Sequence, residues 1–207
     1  MKIAIIGATG YTGAHVLSEA LARGHEVTAI ARDVTKIPSN PKLRVRSLDV
    51  ARTSELAAAL ADHDAVITAF NPGKDESGQG VASIVTASKT AKVPRLLAVG
   101  GAGSLEIAPG KRVVDQPDFP PQWKEGALKT AAFLETLRGE PELNWTFLSP
   151  AINLVPGERT EKYRIGSDAP VVDGSGDSRI STTDLAVALL DEVERPRHNR
   201  KRFTVAY

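Results

Sequence analysis

Met1–Gly13, MKIAIIGATGYTG, is the stretch from which the fold is read. The run Ile3-Ala4-Ile5-Ile6 is short, mostly β-branched and free of polar alternation, as a strand buried on both faces of a parallel sheet must be. It breaks into three glycines at fixed spacing, Gly7, Gly10 and Gly13, and residues Tyr11 to Arg23 have helical composition. Strand, glycine turn and helix in that order make a device for holding a pyrophosphate. The N–H groups of the turn and the positive end of the helix dipole face the anion. Glycines let main chain and ligand approach where a Cβ would collide.

Working outward, the chain continues in the βαβ rhythm that this motif requires. Helix Tyr11–Gly24, with Gly24 as its stop, leads to strand His25–Arg32 and then strand Leu43–Val50. A helix from Ser54 to Ala61 leads to strand Ala65–Phe70, which ends in the turn residues Asn71-Pro72-Gly73. Helix Gly80–Lys92 precedes strand Arg95–Val99, which opens onto Gly100–Ser104. Leu105–Pro121 reads as a loop over the carboxyl edge of the sheet, followed by a helix over Gly126–Leu137. Trp145–Leu148 is a sixth strand, stopped by Pro150. Short segments at Lys162–Ile165 and Pro170–Val172 lie within a small substrate-side lobe at about 153–180. Ser181-Thr182-Thr183-Asp184 matches a capping box opening a helix to about Glu194, and Arg202–Ala206 is the last strand. The class is α/β, a Rossmann-type doubly wound parallel sheet in a single domain.

Composition excludes several classes. At 207 residues, 42% hydrophobic and 25% charged, the chain has an ordinary globular make-up. A formal net charge of +1 gives no reason to expect nucleic acid or an acidic surface as partner. There is no cysteine, so disulfides, thiolate nucleophiles and cysteine metal sites are out. The four histidines show no ligand spacing, and no metal is expected. No apolar run approaches the ~20 residues needed to span a bilayer. The first residues lack the apolar core and cleavage site of a signal peptide, so a cytoplasmic protein is expected, monomeric or homodimeric.

The spacing G-x-x-G-x-x-G resembles the short-chain dehydrogenase/reductase superfamily in its extended and atypical branches. The resemblance makes Gly7, Thr9, Gly10, Tyr11, Thr12 and Gly13 the phosphate-side contacts. It also makes Asp49 a partner of the adenine amino group, with Val50 packing on the ring, and places Phe70 and Asn71 beside the ribose and nicotinamide. Asp49 as the start of a turn, and Asn71 as a turn residue, are the alternatives. Ligands in such sheets bind outside the carboxyl ends of the strands, so Ser149–Ile152, with Pro150, also belongs to the candidate site. Arg32 ends the second strand where an adenosine ribose should lie. With Lys36 a turn further on it favours NADP over NAD, since a guanidinium binds a phosphate bidentately, although Asp33 is adjacent.

The superfamily's usual acid/base pair, Tyr-x-x-x-Lys, is missing. Lys129 has Glu125 four residues before it, and the only tyrosines are Tyr11, Tyr163 and Tyr207. Ser104 suits the position of the catalytic serine; a turn serine bonded to local backbone is the alternative. The strings GATGYTG, GGAGSL, WTFLSPA, PGERTEKYR and ISTTDLAVALLDE together resemble the atypical group that includes NADH-flavin reductase-like and NmrA-like proteins, over essentially the whole chain. The resemblance implies hydride transfer to a flavin-like or quinone-like acceptor that needs no tyrosine acid. Trp123, Phe119 and Pro120–Pro121 offer an apolar wall for a flat ring; a loop packed on the core is the alternative. An NmrA-like redox sensor without turnover is the second reading and a nucleotide-sugar epimerase or dehydratase the third. Arg159 is expected to pair with Glu158 or Asp168, and the basic run Arg195–Arg202 to form a solvated turn.

Overall fold

In the computed structural model, which describes residues 1–207, one eight-stranded sheet runs through the molecule. Its elements in chain order are β1 (Lys2–Ile6), α1 (Gly13–Ala22), β2 (Glu26–Ala31), β3 (Leu43–Ser47), α2 (Thr53–Leu60) and β4 (Ala65–Thr68). There follow α3 (Gly80–Thr90), β5 (Leu96–Val99), β6 (Glu106–Ala108), β7 (Lys111–Arg112), α4 (Pro121–Arg138) and β8 (Trp145–Pro150). The chain ends with β9 (Asn153–Val155), β10 (Arg164–Gly166), β11 (Arg179–Ser181), α5 (Thr182–Glu194) and β12 (Lys201–Ala206). The strand order is β10-β12-β8-β5-β4-β1-β2-β3, parallel except for β10, which runs antiparallel to β12. This is the Rossmann-type doubly wound arrangement.

Alternation along β1 explains the three layers. Ile3 and Ile5 join α1 and α5 in one core, through Val16, Leu17, Leu185 and Leu189. Ala4 and Ile6 face the other way, toward Leu56, Ile84 and Phe133 of α2, α3 and α4. Because β1 is buried on both faces, its residues 3–6 must all be apolar. Ile6 is paired with Ile30 of β2 and with Thr68 of β4, so three strand ends open at one level. The candidate site is built on that level.

Several boundaries differ from the sequence expectation, each for a local reason. α1 begins at Gly13, since Tyr11 and Thr12 remain in the turn. α4 begins at Pro121, five residues before Gly126, because a proline suits a helix's first turn, where its missing N–H costs nothing. The expected loop Leu105–Pro121 contains the hairpin β6–β7, turning at Gly110 with φ +71°. β8 runs on through Pro150 rather than stopping before it. The pairing of β5 ends at Val99 opposite Leu148, so Pro150 has a ladder partner, Val205, on one side only. Within 153–181, β9 and β11 form a separate parallel pair and β10 extends the main sheet, while Pro170–Val172 forms no strand. No helix is long and apolar enough to cross a membrane.

Candidate functional site

The turn after β1 leaves donors free for a ligand. Gly7 N–H and Ala8 N–H donate to Ile30 O at 2.8 and 3.3 Å, and Gly10 N–H donates to Gly7 O at 3.0 Å. The N–H groups of Thr9, Tyr11, Thr12 and Gly13 have no partner in the protein. These are the orphan donors of a helix start, gathered at the positive end of α1. Gly7 has φ +78°, and a Cβ there would meet Ala69 O at 2.9 Å. A Cβ on Gly13 would lie 2.0 Å from Gly7 O, so the third glycine is what lets α1 close onto the turn. The free donors, gathered by glycines that let the turn pack tightly against α1 and β4, fit a dinucleotide pyrophosphate.

A cavity of about 470 Å³ runs from this turn across the ends of β2, β3 and β4. It brings together Gly7, Thr9, Gly10, Arg32, Asp49, Val50, Phe70 and Asn71 of the expected site residues. Tyr11, Thr12, Gly13, Pro150 and Ser104 are not among its walls. Tyr11 is exposed on the turn, Gly13 is buried beneath it, and Pro150 is buried at the end of β8.

Local hydrogen bonds set which side chains are free. Asp33 accepts from Thr35 N–H at 2.9 Å and from Thr35 Oγ1 at 2.7 Å, and these bonds hold its carboxyl below the usual range. Ser47 Oγ donates to Arg32 O at 2.8 Å, fixing the backbone at the end of β2. Asp49 accepts from Ala51 N–H at 3.0 Å and Asn71 from Gly73 N–H at 2.9 Å, so each caps a turn as well as lining the cavity. Lys36 is absent from the walls; Lys74, which sequence reasoning passed over, is present. A lysine three residues into a turn carries no motif, and only the fold of 71–75 over the sheet edge brings it in. Leu48, Asp75, Glu76 and Ser77 complete that side.

Ser104 sits in a 3-10 turn after β5 and is buried. Its Oγ donates to Gly101 O at 3.2 Å and lies 3.5 Å from Ser149 Oγ, while Arg202 Nη1 donates to Ser104 O at 2.6 Å. Lys129 and Glu125 form an exposed ion pair of 2.9 Å on α4, and the lysine holds the Glu125 carboxyl down. Tyr163 Oη donates to Asp191 at 2.6 Å, and burial together with that bond pushes its pKa upward. Tyr207 Oη donates to Asp184 at 2.7 Å and accepts from Ser181 N–H. Two of the three phenols are thus committed to carboxylates or backbone. Trp123, in the first turn of α4, Ile152, after β8, and Tyr11 are exposed on the carboxyl side of the sheet.

One expected pairing and one expected solvated run are corrected. Arg159 binds Glu19 of α1 through two 2.8 Å bonds, and also Glu161, not Glu158 or Asp168. The basic run is only partly solvated: Arg202 is buried and bonded to Asp168.

A family model described as NAD(P)H-binding matches residues 7–196. The chain belongs to the NAD(P)H-binding family. It is 42% identical over 214 residues to the uncharacterized protein YwnB of Bacillus subtilis, covering 99% of this chain and 98% of that one. A solved structure from Bacteroides thetaiotaomicron, provisionally named an epimerase, is 45% identical, covers 100% and 96% of the two chains and superposes with a TM-score of 0.95. Another from Streptococcus pneumoniae, provisionally named an NADH-flavin reductase, is 35% identical with a TM-score of 0.86, covering 100% and 99%. The matched region of this NAD(P)H-binding chain begins at Gly7, the first glycine of the turn.

Proposed function

We propose that the protein is an NADPH-dependent reductase that passes hydride to a flat flavin-like or quinone-like acceptor. The observation that carries the reading is the pairing of a complete dinucleotide cradle with a carboxyl edge that offers no positioned phenol acid. When bound, the nicotinamide supplies the hydride. The free N–H groups of Thr9, Tyr11, Thr12 and Gly13 hold the pyrophosphate, and Arg32 takes the 2′-phosphate while Asp33 is occupied by Thr35. The exposed Trp123, Ile152 and Tyr11 offer apolar surface for a planar acceptor. Such an acceptor spreads the incoming charge over its rings and takes its proton from solvent, so the commitment of Tyr163 and Tyr207 elsewhere is no obstacle. Ser104, bonded to Gly101 O beneath that edge, orients the acceptor or the carboxamide. A cytoplasmic location, where reduced nicotinamide is plentiful, suits this role.

The second reading, an NADP(H) sensor without turnover, is favoured by the same lack of a Tyr-x-x-x-Lys acid/base pair. An epimerase reading has the name of the Bacteroides relative behind it, but the Tyr-x-x-x-Lys pair is absent here. Incubating the protein with NADPH and a panel of FMN, quinones and nucleotide sugars separates the three. Oxidation with FMN or a quinone alone supports the reductase. Tight binding without oxidation of any partner supports the sensor, and turnover of a nucleotide sugar supports the epimerase.

A further inference from the structure

The glycine turn offers a pyrophosphate four N–H donors but no cationic side chain, since Gly7–Gly13 contains no lysine or arginine. A helix dipole supplies about half a unit charge, well short of the two negative charges of a pyrophosphate. The cavity walls contain two cations, Arg32 and Lys74, and neither is ion-paired with a carboxylate. They come from opposite sides of the turn. Arg32 follows β2 and Lys74 follows β4, the two strands that flank β1. Arg32 therefore serves the adenosine ribose, and Lys74 stands across the turn from it.

The segment carrying Lys74 is firmly pinned. Lys74 N–H donates to Asn71 O at 3.0 Å, and Pro72 is buried. Gly73 packs so closely on α4 that a Cβ would lie 2.8 Å from Gly126 Cα. On the other side, Asp75 accepts from Gly80 N–H at 2.8 Å, tying the turn to the start of α3. Three of the four acids on the cavity walls, Asp33, Asp49 and Asp75, are bonded to backbone N–H groups of their own loops. A lysine on a rigid turn, with no carboxylate partner, has no competing ion pair to break and loses little backbone freedom when it meets an anion.

We infer that Lys74 is the cation that pairs with the pyrophosphate of the bound dinucleotide, leaving Arg32 to read the 2′ substituent. The assignment rests on the dinucleotide reading of the cavity, and it divides affinity from selectivity. Lys74 supports NADPH, NADH and ADP-ribose equally; Arg32 separates the first from the other two.

Calorimetric titration of the parent, Lys74→Gln and Lys74→Arg with NADPH, NADH and ADP-ribose tests this. Lys74→Gln weakens all three by a common factor of about ten, as expected for loss of a charged hydrogen bond, and Lys74→Arg restores most of it. A loss confined to NADPH would overturn the assignment in favour of the 2′-phosphate. Unchanged affinities, or no recovery in Lys74→Arg, would remove the role altogether. A parent that binds none of the three would overturn the dinucleotide reading itself, an outcome distinct from any change seen only in the variants. Lys74 is exposed, so the variants are expected to melt with the parent.

Discussion

Arg32 and Asp33 are adjacent in the chain and have opposite fates. The aspartate is bound by the N–H and hydroxyl of Thr35, whereas the arginine lines the cavity unpaired. Replacing Arg32 by Glu is expected to weaken NADPH at least tenfold while leaving NADH within a factor of about two, because a bidentate phosphate contact becomes a repulsion. Paired titrations check this, and an unchanged NADPH preference sinks the role of Arg32. Gly13 makes a different kind of prediction. Gly13→Ala places a methyl 2.0 Å from Gly7 O, so α1 has to move off the turn. A loss of about 1–3 kcal/mol in urea unfolding is expected, as for other overpacked sites, together with weaker cofactor binding. The glycines were legible in the sequence because their spacing encodes local sterics. Lys74 was not, since its place depends on how residues 71–75 fold across the sheet edge.

At the scale of elements, α1 and α5 are bolted together by charge. Glu19 receives Arg159 from 140 residues away and Arg23 from its own helix, and Arg23 also reaches Asp191 of α5. The hydrogen bonds from Arg159 are the leading cause of the lowered Glu19 pKa, outweighing burial. A carboxylate depressed in the folded state adds stability above its unfolded pKa and loses it as pH falls through the folded one. The ordinary value is 4.5, so the bridge is at full strength near neutrality. Glu19→Gln is expected to be less stable than the parent at pH 7, with the gap closing as pH drops below about 4. Urea unfolding midpoints measured across that range check it; a gap that does not depend on pH contradicts it.

No sequence rule exposes such a bridge, because its partners are joined by tertiary folding alone. The start of α5 was half legible. Ser181 Oγ accepts from Asp184 N–H at 3.0 Å as the capping box requires. Asp184, however, turns to the N–H groups of Thr160 and Glu161 and to Tyr207, tying down the segment after β9 instead of closing the box. The pair β9 and β11 escaped notice for a simpler reason: three residues each are too few to show a period.

At the scale of the molecule, one sheet carries the glycine-turn cavity over β1–β4 and leaves the ends of β5 and β8 outside it, which is where the proposed acceptor goes. The cradle's donors exist only when β1, α1 and β2 are assembled, so the dinucleotide binds the folded state and stabilises it. At a hundredfold excess over its Kd, NADPH is expected to add about 2.7 kcal/mol to unfolding, seen as a rise in melting temperature that NADH matches only at higher concentration. The parallel sheet was readable from the sequence because buried strands and glycine turns recur at regular spacing. The engagement of Tyr163 and Tyr207 was not, because their partners Asp191 and Asp184 are brought to them by tertiary folding alone.

Hydride transfer is tested most directly by a single turnover. Protein in excess over NADPH is mixed anaerobically with FMN or a benzoquinone while nicotinamide absorbance is followed. The expected result is decay faster than without protein, slowed when the cofactor is deuterated at C4. Decay no faster than in buffer, with the cofactor demonstrably bound, would contradict catalysis and leave a sensor.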